Sequence, residues 1–280
     1  MKRRDFIEHS LIGAFSFVSE SVFAEEYALR RGFLQARDAR FKALSVCSLL
    51  LAVLFTREIY LLIVLYAFCL ALAACSSIRL GFFLKRTWVF IPLFSLFIAL
   101  PALFSVFTPG EPIASFRVLG MMLHITRQGI ASAGFFFMRV LTSVSLCVLL
   151  VLTTRHFELL RVLRVFGVPQ VFVMTLGMCY RYIYLFIEIV QNTYLAIKSR
   201  VGFISSVKKG QRVVAWNIAG LWKRSYHLNE DVYKAMLSRG YNGEARVLDD
   251  FRSGYKDWLW LISAVTFSCA IGYLQYRSGA

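Results

Sequence analysis

The chain has 280 residues, 58% of them hydrophobic, with a mean hydropathy of +0.62 and a formal charge of +16. That apolar content excludes an ordinary soluble domain, and it places the excess of 32 Lys and Arg over 16 Asp and Glu in loops beside a cytoplasmic membrane face rather than on nucleic acid. Six cysteines (Cys47, Cys69, Cys75, Cys147, Cys179, Cys269) without a CxxC pair and four histidines (His9, His124, His156, His227) without an HxxxH spacing speak against a metal site and for cysteines that act as small apolar side chains.

Residues 1–42 read as a cytoplasmic, amphipathic N-terminal segment. The opening "MKRRDFIEHSLIGAFSFVSESVFAEE" has the basic start and small-residue site of a secretory signal. Glu8, His9 and Ser10 precede a short apolar stretch that Ser16 and Ser19 interrupt, which favours a retained amphipathic surface helix over that alternative.

Residues 43–153 hold four spans. The runs 43–56 and 59–76 predict two short helices joined by a polar hairpin at Arg57-Glu58. One continuous helix is the alternative, and it would carry two charges at its middle, where they are expensive. A third span covers 88–107, interrupted by Pro92 and Pro101; 108–128 is a loop opened by "TPGEP". The fourth span fills 129–153, and residues 257–280 form the final transmembrane helix and tail, its span at 258–276 flanked by Trp258, Trp260, Tyr273 and Tyr276 as interfacial anchors.

Basic residues alternate across this map: eight in 1–42, one at the 57–58 hairpin, three in 77–87, two in 108–128, sixteen in 155–256 and one after 276. Five spans with the N-terminus inside require that alternation. Ala67, Ala71 and Cys75, like Gly129 and Ala133, recur every four residues, which suits close helix approach or simply reflects how common small residues are in spans.

The segment 154–256 is a cytoplasmic insert; from residue 155 on it has sixteen basic and seven acidic residues, net +9. Apolar residues persist through it in helical rhythm, so it is no disordered linker. "RHFELLRVLRVF" at 155–166 is an amphipathic helix stopped by "GVP". Residues 170–200 contain no proline and a single glycine, Gly177, a helix of about 45 Å. "VGFISSVKKG" at 201–210 is a turn region, and a further helix carries Val213, Val214, Trp216, Ile218, Leu221 and Trp222 as its apolar stripe. Asn229, Glu230 and Asp231 could start or reinforce its last turns. That helix ends at Arg239, with Gly240 as its cap.

Two long helices thus end in arginine, at Arg200 and Arg239. Such an arginine suits the helix dipole, at under about 1 kcal/mol, and a basic helix can rest on anionic lipid. A third reading comes from resemblance. "DARFKAL" at 38–44 is similar to the Asp-Pro-Arg-x-Lys-Leu signature of the transmembrane T component of energy-coupling factor transporters, with Ala39 in place of the proline and Asp38, Arg40 and Lys42 matched. The stretch 159–200 resembles that family's coupling segment through Gly167, Pro169, Arg181 and Glu188. "LWKRSYHLNEDVYKAMLSRGYNG" resembles its closing Ala-Met-x-x-Arg-Gly motif through Ala235, Met236, Ser238, Arg239 and Gly240. The first tip, Lys198-Ser199-Arg200, is looser: its family form is Ala-Arg-x, with the arginine matched by Lys198 or Arg200.

The resemblance covers roughly residues 30–245. It implies a non-catalytic coupling scaffold, whose two arginine tips dock two cytoplasmic ATPase subunits and whose membrane helices hold a substrate-capturing membrane subunit. ATP-driven closure would then move the tips together. The N-terminal preamble resembles cobalt-type (CbiQ-like) members, which implies cobalt or nickel ions as cargo and the bacterial cytoplasmic (inner) membrane as location. The chain has no GxxxxGK[ST] phosphate cradle and no catalytic constellation, so no cofactor is expected in it. A self-sufficient secondary transporter, which would need ionisable groups at mid-membrane, is the alternative; Arg139 is the notable charge there. The expected fold is an all-α membrane protein with about five transmembrane helices and long amphipathic cytoplasmic coupling helices between spans four and five.

Overall fold

The computed structural model describes residues 27–30, 32–88, 91–99, 112–118, 121–201, 207–243 and 254–279. In chain order these form α1 (Ala39–Phe55), α2 (Ile59–Cys75), α3 (Leu80–Trp88), α4 (Ile91–Ala99), β1 (Pro112–Val118), β2 (Met121–Thr126), α5 (Arg127–Thr153), α6 (His156–Val165), α7 (Gln170–Val201), α8 (Val207–Ser238) and α9 (Tyr255–Gly279). Among the described residues every regular element is a helix apart from the antiparallel pair β1–β2, in register Ser115 to His124 and Val118 to Met121. The expected loop at 108–128 is therefore a hairpin over much of its length, and the loop 77–87 contains α3. The N-terminal surface helix and most of the second half of span three lie outside the described residues.

The chain divides into two units: Glu25–His156 with Phe251–Ala280, and Met1–Ala24 with Phe157–Asp250. In the first, α5 is the central pole, and α1, α2, α3 and α4 each pack on it, while α9 packs on α1. Its buried stripe, Leu141, Thr142, Ser145, Leu146, Leu149, Leu152 and Thr153, follows the three-and-four spacing of a helix face. Gly129 and Ala133 are buried, whereas Ala67, Ala71 and Cys75 face outward and α2 packs through Leu62, Leu65, Cys69 and Leu72. The Arg57-Glu58 hairpin is present: α1 ends at a Thr56 cap and α2 opens at a Glu58 cap, both extended.

Three helix ends meet at the base of this unit. Asp38 caps α1, its carboxylate accepting from the Arg40 amide at 3.0 Å. At the start of α9, Asp257 reaches back to the Gly254 amide at 2.9 Å, half of a capping box, and its other oxygen accepts from the Asp38 amide at 3.3 Å. One turn into α1, Lys42 is 2% exposed and donates its Nζ to the Thr153 carbonyl at 2.9 Å, the last residue of α5. A cation there satisfies an orphan carbonyl and meets the negative end of the α5 dipole. Trp260 Nε1 donates to Ser45 Oγ at 3.1 Å and Phe41 meets Trp258 edge-on at 5.1 Å, closing α1 against α9.

A buried ammonium costs several kcal/mol to desolvate and is kept only with partners. Replacing Lys42→Met keeps the stem but strands the Thr153 carbonyl, so unfolding in detergent should require about 1–3 kcal/mol less; a denaturant titration of the purified protein measures it.

Candidate functional site

The residues singled out by the sequence fall in both units. Asp38, Arg40 and Lys42 are brought together at the base just described. Thr153 and Asp257, which complete it, flank the two ends of the insert and are 111 and 219 residues from their partners, too far for spacing to reveal. The acid at the head of the final span was the signal that could have pointed to Asp257.

In the second unit α6, α7 and α8 form the insert's helices. α6 ends in a left-handed glycine, Gly167, at φ +85°, with the Gly167 amide on the Arg164 carbonyl and the Val168 amide on the Leu163 carbonyl, both 3.2 Å. This is a Schellman stop, and Pro169 follows it. α8 ends the same way. The Gly240 amide donates to the Leu237 carbonyl at 2.9 Å, the Tyr241 amide to the Met236 carbonyl at 3.0 Å, and Gly240 has φ +81°. Arg239 is thus the last residue before a backbone reversal, and it is exposed. Ala235 and Ser238 are exposed beside it and Met236 is half-buried; Ser238 Oγ turns back to the Lys234 carbonyl at 2.9 Å.

Arg200 and Ser199 are exposed in the last turn of α7, with Ser199 Oγ on the Ala196 carbonyl at 2.9 Å. Lys198 lies in the same turn. Arg181 and Glu188, one face and two turns apart on α7, are both exposed and lie outside the tips. Asn229, Glu230 and Asp231 fall inside α8, which runs unbroken over 32 residues, so they cap nothing. Of the expected turn at 201–210, Val201 belongs to α7 and 207–210 to α8, which tolerates Gly210 inside it, while 202–206 lie outside the described residues.

Sequence reasoning missed a groove of about 590 Å³ between α7 and α8, lined by Met178, Tyr182 and Phe186 on one side and Trp222, Tyr226 and Val232 on the other. Around it Trp216 is 75% and Trp222 80% exposed, and Phe172, Leu176 and Ile183 on α7 are exposed as well. Residues Gln170–Ile197 are long and apolar enough to cross a membrane, as are Arg127–Thr153 and Tyr255–Arg277. So much bare apolar surface on a helix pair must be covered by lipid or by another protein. Among the described residues no group of three or more His, Cys, Asp or Glu side chains is placed to hold a metal ion.

Compared with known proteins, residues 31–248 match the family model CbiQ, described as cobalt transport protein. The chain is 34% identical over 271 residues to the uncharacterized protein MJ1571 of Methanocaldococcus jannaschii, covering 95% of this chain and 89% of that one. It is 30% identical over 131 residues to the uncharacterized protein MJ1089 of the same organism, covering 47% and 48% of the two chains.

A Cβ built on Gly240 meets nothing within 4 Å, so its requirement is conformational. Gly240→Ala should cost about 1 kcal/mol at the helix end and speed amide exchange at residues 236–241. Gly177→Ala, in open space inside α7, should instead slow exchange around it, by up to about 1 kcal/mol. Hydrogen exchange of the two variants checks both signs.

Proposed function

Because this chain belongs to the CbiQ cobalt transport protein family, we propose that it is the transmembrane coupling scaffold of an ATP-driven uptake transporter of the energy-coupling factor type, acting on cobalt or nickel ions in the cytoplasmic membrane. It hydrolyses nothing itself. Two cytoplasmic ATPase subunits dock on the tips at Arg200 and Arg239, and a substrate-capturing membrane subunit covers the apolar groove between α7 and α8.

The observation that carries this reading is the α8 end. An exposed arginine sits immediately before a left-handed glycine, at the tip of a 32-residue helix. The reversal removes backbone from the space ahead of the guanidinium, leaving its fork of donors free to enter a partner's acidic groove. The tip of α7, also 32 residues, carries Arg200 in the same exposed state. A dipole role needs no glycine reversal and no second tip. In the proposed cycle, nucleotide-driven approach of the ATPases draws the tips together, and the helices carry that displacement to the subunit seated on their apolar faces.

The apolarity of Gln170–Ile197 favours a second reading, in which α7 itself crosses the bilayer. Against it stand Arg181, Glu188, Lys198 and Arg200 on that helix and the sixteen basic residues of 155–256, which the positive-inside rule keeps on one side. A periplasm-active reporter fused near Ser206 should be silent and one after Ala280 active; activity at Ser206 sinks the insert's placement.

The Arg239→Glu variant should weaken ATPase binding by at least about 30-fold, the low end for breaking a desolvated charged contact, and abolish uptake while the detergent-solubilised chain keeps its thermal stability. Arg200→Glu should act in the same direction and the Lys198, Arg200 double change more strongly. Pull-down of the ATPase subunits with wild-type affinity by Arg239→Glu would reduce that tip to a capped helix end.

A further inference from the structure

The two carbonyls at the tip of the α1–α2 hairpin are satisfied inside the first unit, Thr56 by Arg139 Nη2 at 2.7 Å and Phe55 by Gln275 Nε2 at 2.9 Å. The second unit carries its charge unevenly. From Ile189 to Asn229 there is no Asp or Glu, and seven Lys or Arg stand in that stretch; from Glu230 to Asp250 there are three Lys or Arg and five Asp or Glu. Of the two arginine tips, Arg200 lies in the first stretch and Arg239 in the second. They also lie at opposite ends of the helix pair. Tyr241, two residues past Arg239, places its hydroxyl 3.6 Å from Met174 Sδ near the start of α7. Arg200 is 26 residues further along that helix, about 39 Å.

α8 starts seven residues after Arg200, and its first half has a face of its own. At about 100° per residue, Arg212, Trp216, Gly220 and Lys223 fall on one side of the helix. Trp216 is half a revolution from Ser225, which lines the groove, so this side looks away from the groove. The Trp216 ring is 75% exposed and has no bonded or stacked partner among the described residues. One turn on, Ala219 and Gly220 leave it standing clear, and a Cβ built on Gly220 meets nothing within 4 Å. Arg212 and Lys223 are exposed and make no bond to other described residues. A rigid indole beside cations and small residues is the composition of a protein–protein hot spot, since the ring can fill a pocket while its neighbours let the partner's backbone close in. A helix lying on lipid buries its apolar side instead, which in this half of α8 is the opposite one, with Val214 and Ile218.

We infer that this face is a second contact for the ATPase subunit docked at Arg200. Trp216 enters an apolar pocket of that subunit, and Arg212 and Lys223 meet carboxylates around it. Cations gathered without acids attract such an acidic surface and speed the encounter. The identity of the partner rests on the coupling reading. The two docking sites are then unequal: the subunit at Arg200 is held by a tip and a helix face, the one at Arg239 by its tip.

The test reads the Arg200 end by itself, using the full chain with Arg239→Glu, solubilised in detergent, and purified ATPase subunits. Trp216→Ala should weaken binding by about 30-fold, and Trp216→Phe by less. Arg212→Gln with Lys223→Gln should slow association at low salt by about tenfold and leave dissociation nearly unchanged. The chain with Lys198 and Arg200 both changed to glutamate is the reference. Binding lost there but kept in Trp216→Ala overturns the second contact and leaves the tip reading standing. Binding lost in Trp216→Ala but kept in the reference supports the face and removes the tip. Binding that survives both overturns both. Lipid is checked without ATPases, by a bimane on Trp216→Cys in anionic liposomes, with the five exposed cysteines changed to alanine and buried Cys69 kept. A nitroxide on the lipid headgroup should quench it little; strong quenching assigns the face to lipid and overturns the proposal.

Discussion

Everything in the membrane-embedded unit is set in height by one buried ammonium. Lys42 is held on the final carbonyl of α5, and that single contact aligns the first helix of the chain with the central pole. Because the helices are rigid rods rising 1.5 Å per residue, alignment at one end dictates which residues meet at the other. Thr56 then falls opposite Arg139 with no room for a slip of one turn, which would move a carbonyl by about 5.4 Å and strand both groups. Apolar packing between the helices is too uniform to choose a register; the polar contacts at the two ends choose it.

The second unit is built on the opposite plan. Its helices are long, its apolar side chains lie on the outside, and its defined features are its stops. Gly167 and Gly240 end helices by backbone conformation, so the end of each element is fixed to the residue even where side chains carry little contact energy. The proposed docking at a tip calls for that kind of definition. The base of the first unit supplies the complement: Thr153 and Asp257 stand where the chain leaves for the insert and where it comes back, and both are bonded into α1.

Much of this was legible beforehand because it is local. The Arg57-Glu58 break, the glycine stops and the long proline-free run at 170–200 are written in short stretches of sequence, and the helical membrane class follows from composition. The structure departs where local signals were weak or ambiguous. "TPGEP" announces a turn but is silent on the strand pairing of 112–126 that follows it. Asn229, Glu230 and Asp231 look like a cap but lie in a helix that its neighbours on both sides continue. The base and the tip were invisible for a different reason: their bonds join side chains to backbone carbonyls and amides 83 to 220 residues away, and a backbone group leaves no mark on sequence pattern. The groove between α7 and α8 arises from the meeting of two stripes, neither of which names the other.

The position of these bonds along the chain has a consequence for biogenesis. The α1–α2 hairpin enters the membrane early, with its Thr56 and Phe55 carbonyls waiting for Arg139 and Gln275. At 5–20 residues per second, the first of these emerges on the order of 10 s later and the second roughly half a minute after the hairpin. Until then the hairpin carries two carbonyls whose donors have not yet been made, and the α1–α9 side of the tip closes only after residue 275. The tip is thus completed late in synthesis, since its second clasp waits for Gln275 long after the first helix has been made.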